Sequence, residues 1–328
     1  MKIWYNGYNL LERRNNRKII DKYMKVLPIV PRGYCKGVVR AINLAKKEGK
    51  TNNNVAILGM IVHNQFIVKA LDQLGIKTFE NPTLDRLALL EEVDCETLII
   101  TAHGASQEVF DNAQKKGFRV VDATCPDVIK THHLIKEYLE KDYEILYIGK
   151  QNHPESQGSL SIDTNKVHLI EKSDDFNKLD KTKKYVITNQ TTMSLFDVYH
   201  LCEDAKDYFE DVTIAKETCN ATQVRQEAIA NIENAVDVIF IVGDPHSNNT
   251  KKLASIAKEK TKKDVYMIEH VLEIEPSMLA NKKYAAVSSG ASTPTYLTHQ
   301  VVEYLKQYDA KDASTHVLPS IDMSQIIE

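Results

Sequence analysis

The sequence contains no apolar run close to the roughly 20 residues that a membrane-spanning helix needs. It has no apolar segment at its N-terminus of the kind that heads a secretory signal. It has no excess of basic charge: 42 Lys and Arg against 45 Asp and Glu leave a formal net charge of −3. These absences argue against a membrane protein and against non-specific nucleic-acid binding, which needs a basic face. Close cysteine pairs are also missing. The five cysteines are odd in number and far apart, which fits neither a disulfide frame nor the paired C-x-x-C spacing of structural zinc. Reduced thiols in a cytoplasmic setting are expected, available for metal or catalysis.

What is there is globular. The 328 residues are 43% hydrophobic and 27% charged, enough for two or three domains. Residues 1–23 fit badly with the rest. They are polar, rich in Asn and Arg, and precede Met24 and a clean strand pattern. Glu12, Asp21 and the scarcity of Ser weaken a transit-peptide reading. A peripheral extension over residues 1–25 is expected.

Three apolar runs each stop at a cysteine: VLPIVPRGYC at Cys35, RVVDATC at Cys125 and VTIAKETC at Cys219. The spacings are 125 − 35 = 90 and 219 − 125 = 94 residues, a period of domain size. The contents repeat too. Strands at Val26–Val30, Phe118–Asp122 and Val212–Ala215 lead into the cysteines. Helical patterns follow in VVRAINLAKK, VIKTHHLIKEYL and VRQEAIANIENA. Then come Gly-ended strands (NVAILG, YEILYIG, VDVIFIVG), polar loops, a short extended segment, and a further strand with a small-residue loop (TAHGAS, TNQTTMS, SSGASTP). One offset holds three times: 63 − 35, 153 − 125 and 247 − 219 are each 28, landing on His63, His153 and Ser247.

Alternating short apolar strands and helices predict an α/β class with parallel sheets, in which ligand groups gather at the carboxyl ends of strands. The cysteines, His63, His103, His153, Thr191, Ser247 and Ser292 all fall there. The reading is three α/β domains in pseudo-threefold array: 26–122 with Cys35, 123–216 with Cys125 and 217–312 with Cys219, then a tail over 313–328. Each domain points one cysteine and two polar loops at a shared centre.

Three thiolates suit an iron–sulfur cluster or zinc, and a helix beginning just after each cysteine favours negative charge on the sulfur. Spacing alone leaves a metal site and buried structural thiols equally open. The other loops favour a site. His63, His103, Ser247, Asn248, Asn249 and Ser292 offer donors suited to a phosphate or diphosphate. Glu155, two residues after His153, has an obvious acid–base role, and Thr191 and Thr192 offer hydroxyls to a substrate alcohol.

Taken together, PRGYCKGVVRAI, VHNQ, TAHGAS, DATCPDVIKTH, NHPESQG, TNQTTMS, ETCNATQVRQEA and GASTP resemble the motif set of the 4-hydroxy-3-methylbut-2-enyl diphosphate reductase family, in order from about Met24 to about Tyr308. The resemblance implies a trefoil of three domains around a 4Fe–4S cluster with three cysteine ligands, Cys35, Cys125 and Cys219, and one open iron site. It implies diphosphate binding by His63, His103, His153, Ser247, Asn248, Asn249 and Ser292, proton delivery by His153 and Glu155, and a hydrogen bond from Thr191 to the substrate alcohol and Glu155. The implied reaction removes the allylic hydroxyl reductively and gives isopentenyl and dimethylallyl diphosphate, with electrons from ferredoxin or flavodoxin. Two departures stand out: Asn248 where the family commonly has a second serine, and Gln65 where HNR is commoner. Two rival readings remain, a non-catalytic iron–sulfur sensor or diphosphate-binding protein and a zinc-bound protein. Cys95 and Cys202 lie outside the repeat and are expected to be packed thiols. His132 and His133 are expected on a helix without a catalytic part, and His168, His200 and His270 have no constellation around them.

Overall fold

The computed structural model describes residues 23–215 and 219–328. The chain lays down β1 (Lys25–Pro28), α1 (Lys36–Thr51), β2 (Val55–Leu58), α2 (Gln65–Asp72), β3 (Ile76–Phe79), α3 (Arg86–Glu91), β4 (Thr97–Ile100), α4 (Gln107–Lys115) and β5 (Arg119–Asp122). It continues with α5 (Pro126–Glu140), β6 (Glu144–Ile148), α6 (Pro154–Leu160), β7 (Val167–Ile170), β8 (Lys184–Asn189), α7 (Leu195–Tyr208) and β9 (Asp211–Ile214). The last part holds α8 (Asn220–Ala230), β10 (Val238–Val242), α9 (Asn248–Thr261), β11 (Asp264–Ile268), β12 (Tyr284–Ser289) and α10 (Thr295–Gln307).

The strands form three four-stranded sheets, β3-β2-β4-β5, β7-β6-β8-β9 and β1-β12-β10-β11, with every pair parallel. Inner strands such as VAIL, EILYI and VIFIV are buried along their whole length. That is why they read as apolar runs, broken only by Glu144 at the head of EILYI: helices cover both faces of a parallel sheet. The expected α/β architecture of three repeated units is therefore present.

The assignment of the first strand differs from expectation. The sequence places the strand at Val26–Val30 at the head of the first domain. In the structure β1 pairs with β12, Lys25 opposite Tyr284, and completes the third sheet. In the first two sheets this outer place is filled by the strand that leads into the next cysteine, β5 or β9. The third unit has no following strand of that kind, so the chain's own first strand fills the gap. The ring closes on itself, and Cys35 is presented from the edge of the third sheet. Met24, placed in the extension by the sequence reading, is buried in the core of this third unit, so the fold includes residues 24 and 25. Residues 1–22 lie outside the described residues.

The tail is also part of the fold. Ile326 and Ile327 are buried against α1 in the core of the first unit. Tyr34 Oη donates to Ile326 O at 2.6 Å, and Lys46 Nζ to Ile327 O at 2.5 Å. The helix α8 ends at Ala230, short of the expected Ala235, where the Asn231 N–H returns to Glu227 O. Among the described residues no helix is long and apolar enough to cross a membrane.

Candidate active site

Cys35, Cys125 and Cys219 are the N-caps of α1, α5 and α8, and none uses its side chain to cap its helix. Three sulfurs therefore face one cavity while three helix N-termini direct partial positive charge toward them. All five cysteines are free thiols. Gly37 keeps the sulfurs accessible: a Cβ there would lie 2.7 Å from Cys125 Sγ and 3.8 Å from Cys35 Sγ. Burial pushes the Cys125 thiol up. It pushes Cys219 up to about 12, helped by a hydrogen bond from Sγ to Asp127 Oδ2 at 3.1 Å. Such thiols ionise when a soft metal takes the place of the proton. Soft donors, convergence and a glycine-kept gap fit an iron–sulfur cluster held at three corners.

All thirteen candidate site residues singled out in the sequence, Thr192 included, line this cavity. One wall carries three histidines. The ring centres of His63 and His103 are 4.4 Å apart, and His153 is 5.5 Å from each. Burial lowers all three pKa values: His153 to about 3, His103 well below 6.5, and His63 less so because Glu80 and Asp244 pull it back. The rings are neutral at pH 7. Their nearest nitrogens lie within 4.8 Å of one another, close enough to suggest a metal site. The tautomer points elsewhere. His153 Nδ1 accepts from the Glu155 N–H at 3.2 Å, which puts its proton on Nε2 and makes the free face a donor. That favours an oxyanion over a cation.

Further donors flank the histidines. Ser247 caps α9 by accepting from the Thr250 N–H, which leaves its hydroxyl hydrogen free. Asn249 is 4% exposed, and neither atom of its amide has a partner. An unpaired buried amide is costly, which leaves this side chain open to a polar partner. Ser292 Oγ donates to His63 O at 3.1 Å. Asn248 lines the cavity but is already engaged: its Nδ2 donates to Thr192 O at 3.0 Å and to Thr192 Oγ1 at 3.2 Å.

Glu155 is 1% exposed. Its Oε1 accepts from the Thr191 N–H at 2.7 Å and its Oε2 from Thr191 Oγ1 at 3.0 Å. Burial raises its pKa to about 7, against the lowering effect of both Thr191 bonds. A carboxyl at that value gives or takes a proton readily near neutrality.

Two organising residues went unread in the sequence. Gln190 accepts from Lys150 N and Ser156 Oγ and donates to Thr192 Oγ1 at 2.7 Å, joining the loops that carry Glu155 and Thr191. Asp244 accepts from the Gln65 N–H at 3.2 Å and the His246 N–H at 2.7 Å, joining loops of the first and third units. Gln190 stood inside TNQTTMS and Asp244 directly after VDVIFIVG, where polar loop residues pass for turn formers. Cys95 and Cys202 are buried, away from the cavity, as expected. His132 on α5 is half-buried with its Nε2 buried and unpartnered, and burial lowers its pKa to about 4; it too lies off the cavity lining.

Three α/β units that each give a thiol and polar loops to one cavity define a thiol-lined site with a histidine wall and a buried acid. The chain belongs to the LytB protein family, whose model matches residues 26–306. It is 47% identical over 296 residues to the 4-hydroxy-3-methylbut-2-enyl diphosphate reductase of Brevibacillus brevis, covering 89% of this chain and 94% of that one. It is 44% identical to the enzyme of that name from Anoxybacillus flavithermus, at 89% and 93% coverage. Among solved structures, the Plasmodium falciparum E-1-hydroxy-2-methyl-but-2-enyl-4-diphosphate reductase aligns with a TM-score of 0.79 at 30% identity, over 86% of this chain and 87% of that one. A second, described as the terminal enzyme of the non-mevalonate pathway, aligns at 0.62 and 30% identity, over 85% and 97%.

Proposed function

We propose that this protein is a 4-hydroxy-3-methylbut-2-enyl diphosphate reductase. It removes the allylic hydroxyl of its substrate with two electrons and two protons, releasing water and giving isopentenyl or dimethylallyl diphosphate. The observation that carries this reading is the shared cavity: three free cysteine sulfurs at helix N-termini, a buried Glu155 held by Thr191, and a wall of histidines with Ser247 and the unpaired Asn249 amide.

The family is that of an iron–sulfur enzyme. Cys35, Cys125 and Cys219 are the residues suited to hold a 4Fe–4S cluster, leaving one iron without a protein ligand. When bound, the cluster supplies electrons and Lewis acidity. The protein's own residues do the rest. His63, His103, His153, Ser247, Asn249 and Ser292 take the diphosphate and so fix the allyl fragment in the cavity. Thr191 bridges Glu155 and the substrate alcohol. Glu155, poised near neutrality, delivers the proton to the departing oxygen. Asn248 acts one step back by holding Thr192. Ferredoxin or flavodoxin is the proposed electron donor, and the cytoplasm the proposed setting.

Anaerobically purified protein, reduced methyl viologen and 4-hydroxy-3-methylbut-2-enyl diphosphate test this directly. Oxidation of the dye that depends on the substrate is expected. An iron- and sulfide-loaded protein that leaves the dye reduced would move the assignment to a sensor or binding protein.

A further inference from the structure

Arg225 is 2% exposed, and no other lysine or arginine among the described residues is as deeply buried. It lies on α8, the helix capped by Cys219. Its Nη1 donates to Ala221 O and its Nη2 to Gly33 O, both at 2.8 Å. Ala221 follows Cys219 by two residues and Gly33 precedes Cys35 by two. The guanidinium therefore spans the loops of two of the three cysteines. Its Nε is buried and has no partner. The groups whose charge bears on it are Cys35 and Cys219.

A buried guanidinium with no counter-anion is strongly unfavourable. Among the described residues no carboxylate pairs with Arg225, and the fold nevertheless keeps the guanidinium here. The chemistry that makes it favourable is negative charge on the sulfurs beside it.

We propose that Arg225 is the built-in counter-charge of the cluster held by Cys35, Cys125 and Cys219, and that it raises the cluster's reduction potential. The inference rests on the reading of those cysteines as cluster ligands. Three thiolates outweigh the charge of the core, and each electron taken up adds to the excess. A fixed buried cation stabilises the reduced form more than the oxidised one. Asp127, whose Oδ2 lies 3.1 Å from Cys219 Sγ, acts in the opposite direction, and Arg225 offsets it from within the fold. Arg225 is a positioning residue; it does not line the cavity.

The test is a redox titration of anaerobically purified holoprotein, followed by visible absorption and electron paramagnetic resonance. Arg225→Gln should lower the one-electron equilibrium constant at least tenfold, a fall of about 59 mV. Arg225→Lys keeps the charge and should lower it by less than half as much in millivolts. A Gln variant with the parental potential overturns the proposal. If the Gln variant takes up no cluster, the Lys variant decides: loading at near-parental potential supports the counter-charge, and a Lys variant as empty as the Gln variant overturns it. A parental protein without cluster would sink the ligand assignment itself. A loaded parent without turnover would sink only the reductase reading, and the comparison of potentials would stand.

Discussion

Thr191 donates to both oxygens of the Glu155 carboxyl, from its backbone N–H at 2.7 Å and from its hydroxyl at 3.0 Å. Both bonds favour the charged carboxylate, yet burial outweighs them and the pKa rises to about 7. The proposed proton donor is thus held in place by a partner that leaves it able to protonate.

Glu155→Gln should depress turnover by about 10²–10⁴-fold while changing diphosphate affinity by only a few-fold. Steady-state kinetics with a product-inhibition measurement of affinity check this. Parental turnover in the variant would remove Glu155 from proton delivery.

The same carboxyl makes a stability prediction. Its folded pKa of about 7 lies above the ordinary 4.5, so the native state holds a proton that the unfolded chain releases. The resulting stabilisation is fully present below pH 4.5 and is lost as the pH rises through about 7. It is worth about 3 kcal/mol. The lowered histidines make stability rise with pH in both proteins, so urea unfolding of ligand-free protein between pH 5 and 8 should show the Glu155 effect as a difference: stability falls with pH in the parent relative to Glu155→Gln. Equal slopes would contradict the raised value.

His63 is lowered less than its neighbours because Glu80 and Asp244 oppose the effect of burial. A diphosphate arriving beside it adds more negative charge, so His63 is the ring expected to take up a proton on binding. Calorimetry with dimethylallyl diphosphate at pH 7 in two buffers of different ionisation enthalpy should show net proton uptake, smaller in His63→Asn. Uptake unchanged in the variant would assign the proton elsewhere.

Asn249→Leu removes an amide whose two polar atoms are buried and unpaired. Ligand-free stability should hold or rise, because an apolar side chain of similar size carries no such penalty. Diphosphate binding should weaken by about 1.5–3 kcal/mol, the range for a hydrogen bond to a charged group. Thermal unfolding and KM measure the two effects separately. A fall in stability with KM unchanged would make Asn249 structural.

Gly37→Ala places a methyl group 2.7 Å from Cys125 Sγ in the first turn of α1, where alanine suits a helix better than glycine. The variant should fold and yet hold much less iron per chain than the parent. Full iron loading would mean that the gap beside the sulfurs is not needed.

Much of this site was legible because the chain repeats its design. The common offset from cysteine to loop residue marked His63, His153 and Ser247, and all three line the cavity. Strand partners were not legible. Nothing local in KVLP says that β1 pairs with β12, more than 250 residues away, because pairing of parallel strands is decided by the whole fold. Nor was the state of each donor. Asn248 and Asn249 are neighbours in sequence, but one amide is spent on Thr192 and the other is unpaired, a difference set by which way each residue of the first turn of α9 points. The buried end of the chain was read as a tail because IDMSQIIE is too short to show a period.

The most direct test of the central claim is iron and acid-labile sulfide content, measured anaerobically on the parent and on Cys35→Ser, Cys125→Ser and Cys219→Ser, with Cys202→Ser as control. About four iron and four sulfide per chain are predicted for the parent and the control, with loss in each of the three others. A zinc-loaded, colourless parent, or cluster loss in the control equal to that in the three, would contradict the assignment of the three cysteine corners.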